Sequence, residues 1–157
     1  MPSLAVDSRS APAGRPQALA ARAGDLWITT DAARLDLELT RDILALSWPE
    51  ITFESVRRAL AGSLPFGLFH AERQVGLARV VTDRATFAYL DDLFVLEPYR
   101  GRGLGSWLLG VVVAHPELQG IHRWLLRTRD PRPLHRHHGF VPLAKPEWWM
   151  GRVTAHE

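Results

Sequence analysis

The chain has 157 residues, 46% of them hydrophobic and 23% charged, which suits one globular domain with a core of its own. Its 19 basic against 17 acidic residues leave a formal charge of +2, too small an excess for a nucleic-acid-binding composition. The absence of cysteine excludes disulfides, thiolate metal sites and cysteine nucleophiles, and no apolar run approaches the ~20 residues that span a bilayer.

Residues 1–24 are rich in Ala, Arg, Pro and Ser and lack the continuous apolar core of a secretory signal. They read as a flexible tail ahead of a domain at 25–157, and the cytoplasm is the expected location. The first strand is expected at Leu26-Trp27-Ile28-Thr29. Leu39, Ile43, Leu44 and Leu46 then recur at helical spacing, and that helix stops near Trp48-Pro49. Thr52 is placed to cap a second helix with Phe53, Val56 and Leu60 on its inner stripe and Gly62 at its end.

Residues 66–70 and 75–81 read as strands joined by the polar turn Glu72-Arg73-Gln74. A second turn, Thr82-Asp83-Arg84-Ala85, leads into a strand at 87–95, so the middle of the chain is an antiparallel meander. Beyond it, a helix is expected from Ser106 to about His115, ended by Pro116 and Gly120. A strand at 124–128 follows, parallel to 87–95 through a βαβ crossover. A short helix at 133–138 and a last strand at Phe140-Val141-Pro142-Leu143 complete the order β-α-α-β-β-β-α-β-α-β. The fold class is α/β, a mixed and mostly antiparallel central sheet with a βαβ core.

The turn Tyr99-Arg100-Gly101-Arg102-Gly103-Leu104-Gly105-Ser106 stands out. Glycines at alternate positions let backbone N–H groups approach a ligand without a Cβ in the way. The helix behind adds unpaired N–H donors and the positive end of its dipole, a setting for phosphate. A nucleotide P-loop requires a lysine after the glycines, and none is there. A dinucleotide fingerprint requires its third glycine at 106, which is serine, and an early place in repeated βαβ units.

Arg100-Gly101-Arg102-Gly103-Leu104-Gly105 instead resembles the acyl-CoA pyrophosphate loop of the GCN5-related N-acetyltransferase superfamily, Arg/Gln-x-x-Gly-x-Gly/Ala. The resemblance runs from about Leu26 to Met150 and includes Leu93-Phe94-Val95 ahead of Pro98 and the late Gly139-Phe140 pair. It implies transfer of an acetyl group from acetyl-CoA to the primary amine of a small molecule or an amino terminus, by direct attack in a ternary complex. The main chain of Leu93, Phe94 and Val95 would then pair with pantetheine. An N–H near Phe94 or Val95 would stabilise the oxyanion. Amides of Gly101, Arg102, Gly103, Leu104, Gly105 and Ser106 would hold the pyrophosphate, with Arg100 and Arg102 adding positive charge.

A neutral amine is required, and its free pKa lies near ~10.4, so a carboxylate must take its proton. Asp92 is the first choice and Asp91 the second. Strand alternation puts them on opposite faces unless a bulge intervenes, and pairing of either with an arginine such as Arg79 is the structural alternative. Many members of the superfamily place a tyrosine four residues before the glycine of the Gly-Phe pair; here that residue is His135. This departure leaves His135 as the candidate general acid. Arg79 and Tyr89 are candidate acceptor contacts, and the acceptor pocket is expected among the helices of 39–62 and the strand edges. His135, His137 and His138 match no zinc spacing, so no metal is expected. Trp148-Trp149-Met150 either packs back on the domain or marks a homodimer contact. A non-catalytic acyl-CoA-binding or regulatory domain stays open as the alternative reading; no nucleic-acid or membrane partner is expected.

Overall fold

The computed structural model describes residues 18–130 and 133–154. Six strands form one sheet in sequence order: β1 (Leu19–Ala23), β2 (Leu26–Thr29), β3 (Leu64–His70), β4 (Arg73–Thr82), β5 (Phe87–Val95) and β6 (Arg123–Leu126). Every neighbouring pair is antiparallel except β5–β6, which is parallel. The helices are α1 (Leu37–Ala45), α2 (Phe53–Ala61), α3 (Leu104–Ala114) and α4 (Pro133–His137). This is the expected mixed α/β architecture, and α3 is the crossover between the parallel strands.

Local chemistry fixes the helix ends. Asp36 Oδ1 accepts the N–H of Leu39 at 3.0 Å to start α1, and Thr52 Oγ1 accepts that of Ser55 at 3.1 Å to start α2. The β4–β5 turn is built on Asp83, whose Oδ1 accepts the N–H groups of Ala85 at 2.9 Å and Thr86 at 2.8 Å.

The sheet is covered on both faces. One cluster joins Ala88 and Leu90 of β5 to Leu104, Leu108, Leu109 and Val112 of α3. The other joins Ile43 and Leu44 of α1 and Val56 and Leu60 of α2 to Leu77 of β4, with Phe94 packed against it. Side chains of β5 therefore alternate between an α3 face and an α1–α2 face.

Four expectations are corrected. Leu19–Ala23 is not tail but an edge strand, held by its ladder with β2 across a turn in which Gly24 takes φ +61°; residues 1–17 lie outside the described residues. The β3–β4 turn is Ala71–Glu72, with Ala71 at φ +50°, so Arg73 and Gln74 belong to the strand. Helix α3 starts at Leu104, two residues before Ser106, because Gly103 at φ +76° serves as its N-cap. Residues 140–143 form no strand: Pro142 offers no N–H to a ladder, and Val141 is 75% exposed.

Gly76 of β4 is closely flanked by β5 and β3: an added Cβ would stand 2.8 Å from the carbonyl oxygen of Phe94 and 3.2 Å from Leu68 Cβ. Neither neighbour is the loose end of a side chain, so the strands must separate. Gly76→Ala should lower unfolding free energy by about 1–3 kcal/mol; urea denaturation checks this, and an unchanged midpoint would show that the sheet yields freely there.

Candidate active site

The site begins with an irregularity in β5. Leu77 faces Phe94 and Arg79 faces Asp91, so β5 carries one residue more than β4 between these pairs. Asp92 takes φ +55°, left-handed geometry that costs a non-glycine residue energy. The bulge reverses the alternation. Ala88 and Leu90 face α3 before it; Leu93 and Val95 do so after it, while Phe94 turns to the α1–α2 side.

The bulge puts both carboxylates on one side, where a single guanidinium holds them. Arg79 Nε donates to Asp92 Oδ2 at 2.8 Å and an Nη donates to Asp91 Oδ2 at 3.4 Å. Asp91 Oδ1 also accepts the N–H of Asp92 at 2.9 Å. Exposure separates the pair: the Asp92 side chain is 4% exposed and that of Asp91 34%. Burial, and then the charge of Asp91, raise the Asp92 pKa above the usual carboxylate value, with Arg79 pulling the other way.

Two cavities meet at this point of β5. The smaller, about 200 Å³, lies among Ile43 of α1, Leu46 and Ser47 just past its end, residues 90–94, Leu126 at the end of β6, Arg127 and Thr128 beyond it, and His135 of α4. The larger, about 440 Å³, runs from Leu93, Phe94 and Val95 over Tyr99, Arg100, Gly101, Gly103, Leu104, Gly105 and Ser106 to Leu134. Leu93 and Phe94 line both.

The larger cleft exists because β5 and β6 part. Their parallel register ends at Leu90 and Leu126, and β5 continues to Val95 without a neighbour on that side. The N–H of Leu96 donates to Val75 O at 2.8 Å, so the antiparallel alternation points Phe94 at β4 and the N–H and C=O of Leu93 and Val95 at the cleft. Arg100 closes part of that edge, its Nε donating to Val95 O at 2.8 Å with the guanidinium 5.1 Å from the centre of the Phe94 ring.

At the far end, Gly101 and Gly103 stand at φ +77° and +76°. The first intrahelical bond of α3 runs from the Trp107 N–H to Gly103 O at 3.0 Å. The N–H groups of Leu104, Gly105 and Ser106 therefore lack helical partners and share the positive end of the helix dipole. Leu134 and Val95 pack beside Gly105, where a Cβ would meet them at 3.8 and 3.9 Å, ordinary contact distances.

Thus Asp91, Asp92, Leu93, Phe94 and His135 come together around one cavity, with His135 only 7% exposed. Three expected contacts do not join them. Arg79 is engaged by both aspartates and lines neither cavity. Tyr89 lines neither cavity, although burial and then Asp91 raise the pKa of its hydroxyl. Arg102 is not among the residues lining the cleft; its guanidinium lies 5.5 Å from the centre of the Tyr99 ring. No group of three or more metal-ligating side chains occurs among the described residues. Conversely, Ser47 and Thr128 were invisible as site residues in sequence, since nothing about a helix end or a strand end marks it as a cavity wall.

The chain is similar to known proteins in sequence and fold. The acetyltransferase (GNAT) family matches residues 35–140. A candidate acetyltransferase from Gibberella zeae is 30% identical over 132 residues, covering 68% of this chain and 73% of that protein. A crystal structure of a candidate GNAT acetyltransferase from Xanthomonas campestris superposes with a TM-score of 0.77 at 42% identity, covering 82% of this chain and 93% of the other. At 16% identity, where only the fold is shared, an acetyltransferase structure from Clostridium acetobutylicum solved with acetyl-CoA aligns over 76% of this chain and 92% of its own, TM-score 0.55.

Removing the guanidinium between the carboxylates has a defined consequence. Arg79→Met should cost about 3–5 kcal/mol near neutral pH, because it leaves buried negative charge unpaired. Its removal raises the Asp92 pKa further, since Arg79 is the group that lowers it. A carboxyl that binds its proton more tightly in the folded state gives stability below the unfolded pKa and loses it as pH rises through the folded one. The defect should therefore shrink as pH falls toward 3.8, the ordinary aspartate value. Denaturation of both proteins across that range decides: a defect independent of pH would contradict the pairing.

Proposed function

The chain belongs to the acetyltransferase (GNAT) family and is an acyltransferase, and from this premise we propose that it moves an acetyl group from acetyl-CoA to the primary amine of a small molecule, by direct attack with both substrates bound. The observation that carries this reading is the meeting of two cavities at Leu93 and Phe94, one lined by exposed amides and the other by paired carboxylates.

Acetyl-CoA fits the larger cleft. Its diphosphate is assigned to the N–H groups of Leu104, Gly105 and Ser106, with Gly101 and Gly103 keeping side chains out of the approach. Its pantetheine is assigned to the free edge of Leu93 and Val95, where it would take the place of a missing strand. When bound it supplies an activated acyl carbon. The Val95 N–H then serves as a fixed donor to the carbonyl oxygen as charge develops there, the type of interaction that contributes most to acyl transfer.

The acceptor enters the smaller cavity. Asp91, the more exposed carboxylate, attracts the ammonium group. Asp92 receives a proton as nitrogen attacks, directly or through water, and its raised proton affinity suits that task. His135, across the cavity, returns a proton to the departing sulfur. A volume near 200 Å³ favours a small acceptor or the end of a larger one.

Mixing acetyl-CoA with a panel of amines and following free thiol tests the reaction. Asp92→Asn should leave CoA affinity unchanged and lower turnover by about 10²-fold or more. The acid limb of kcat/KM in the natural protein should fall above pH 3.8, because the Asp92 pKa is raised. Tight CoA binding with no thiol released across a broad panel would favour a binding or regulatory domain. Full activity in the asparagine variant would remove Asp92 from proton transfer.

A further inference from the structure

The first turns of α3 carry a notch. Ser106 and Gly110 lie four residues apart and so share one side of the helix, and the imidazole of His138 occupies the space beside them. Its Nε2 is 3.1 Å from Ser106 Oγ. A Cβ at Gly110 would stand 3.2 Å from the ring's Cε1, closer than side chains normally pack. Glycine inside a helix is destabilising relative to alanine; the room that this ring requires accounts for it.

Ser106 also lines the cleft assigned above to the diphosphate. A hydroxyl has a single hydrogen to donate. When Nε2 of His138 is unprotonated, that hydrogen is drawn to the ring. When Nε2 carries a proton, the ring donates into Oγ and the serine hydrogen is released toward the cleft. We propose that His138 is a positioning residue for the phosphate loop: an anion bound through Ser106 selects the ring forms that donate from Nε2 and, by its charge, favours the imidazolium over the neutral Nε2–H tautomer, so that binding is linked to proton uptake. This rests on the reading of the loop as an acyl-CoA site.

The charges around the ring support that direction. Helix α3 carries no charged side chain, and its positive end opposes an imidazolium until an anion neutralises it. From α4, His137 meets His138 edge-on, the ring centres 5.1 Å apart. His122, ahead of β6, lines the same cavity as His138, and the segment 140–144 that completes this wall carries no charge. Bound diphosphate would be the dominant new charge, and it favours the protonated ring.

The probe is 3′-dephospho-CoA, which keeps the diphosphate but lacks the phosphomonoester that would itself titrate near pH ~6. Calorimetry between about pH 5.5 and 8, in buffers of different ionisation heat, reads affinity and proton uptake together. The wild-type protein should bind about tenfold more tightly at the acid end, with net uptake of protons. His138→Gln supplies a donor that does not titrate, so it should keep the acid-end affinity and lose the slope. His138→Leu should bind about tenfold more weakly at the acid end, also without slope.

A leucine variant with wild-type affinity and slope would overturn the proposal. Should that variant fail to fold, a wild-type slope persisting in the glutamine variant would overturn it equally. Wild-type protein that binds the probe without pH dependence or proton uptake also overturns it. Folded wild-type protein that binds neither the probe nor CoA at any pH would instead remove the acyl-CoA reading underneath.

Discussion

One extra residue in β5, held by one arginine, organises the candidate site. Without the bulge at Asp92, strand alternation would send Asp91 and Asp92 to opposite faces, and Leu93 and Val95 would face α1 and α2 in place of α3. The left-handed geometry of a non-glycine residue is unfavourable by itself. What holds it is the Arg79 guanidinium, which reaches across from β4 to both carboxylates. Local strain, a buried charge pair and a reversal of side-chain direction are thus aspects of a single feature.

That feature also links the two halves of the site. On one side of it lies the cavity with the carboxylates and His135; on the other, the cleft between β5 and the glycine loop. Because β6 ends its pairing at Leu126, the main chain beyond the bulge is left with donors and acceptors facing that cleft. A sheet interior offers this to a ligand only where two strands part. The glycine loop and the N-terminus of α3 supply the second set of amides at the start of the crossover helix. Helix α4 and His138 just after it complete the enclosure, with Leu134 near Gly105, His138 in the notch of α3, and His135 lining the cavity of the carboxylates.

Most of this architecture was legible in sequence because it is written in local signals. The caps at Thr52 and Gly62, the meander of β3 to β5, and the glycines of 101–105 each have a mechanism that acts over a few residues. The α3 start was misplaced by two residues because Ser106 resembles a helix cap, whereas the glycine conformation at 103 takes that role. The strand at Leu19–Ala23 was hidden by its alanines, whose strand character comes from pairing with β2 and not from intrinsic preference. The opposite error befell 140–143, where an apolar run looked like a strand but its proline cannot join a ladder. For Arg79 the sequence leaves two roles open, an acceptor contact and a partner of Asp91 or Asp92, and the pairing becomes visible only when β4 and β5 come together. A bulge could be named as a possibility in the sequence, but only the register of two strands reveals it.

The central claim is that main-chain amides exposed by the parting of β5 and β6, together with those at the start of α3, hold the thioester carrier. Amide hydrogen exchange resolved by residue, with and without acetyl-CoA, addresses it most directly. Slowed exchange is expected at Leu93 and Val95 and at Leu104, Gly105 and Ser106, with little change along β1 to β3. Saturating acetyl-CoA that protects none of these five amides would contradict it.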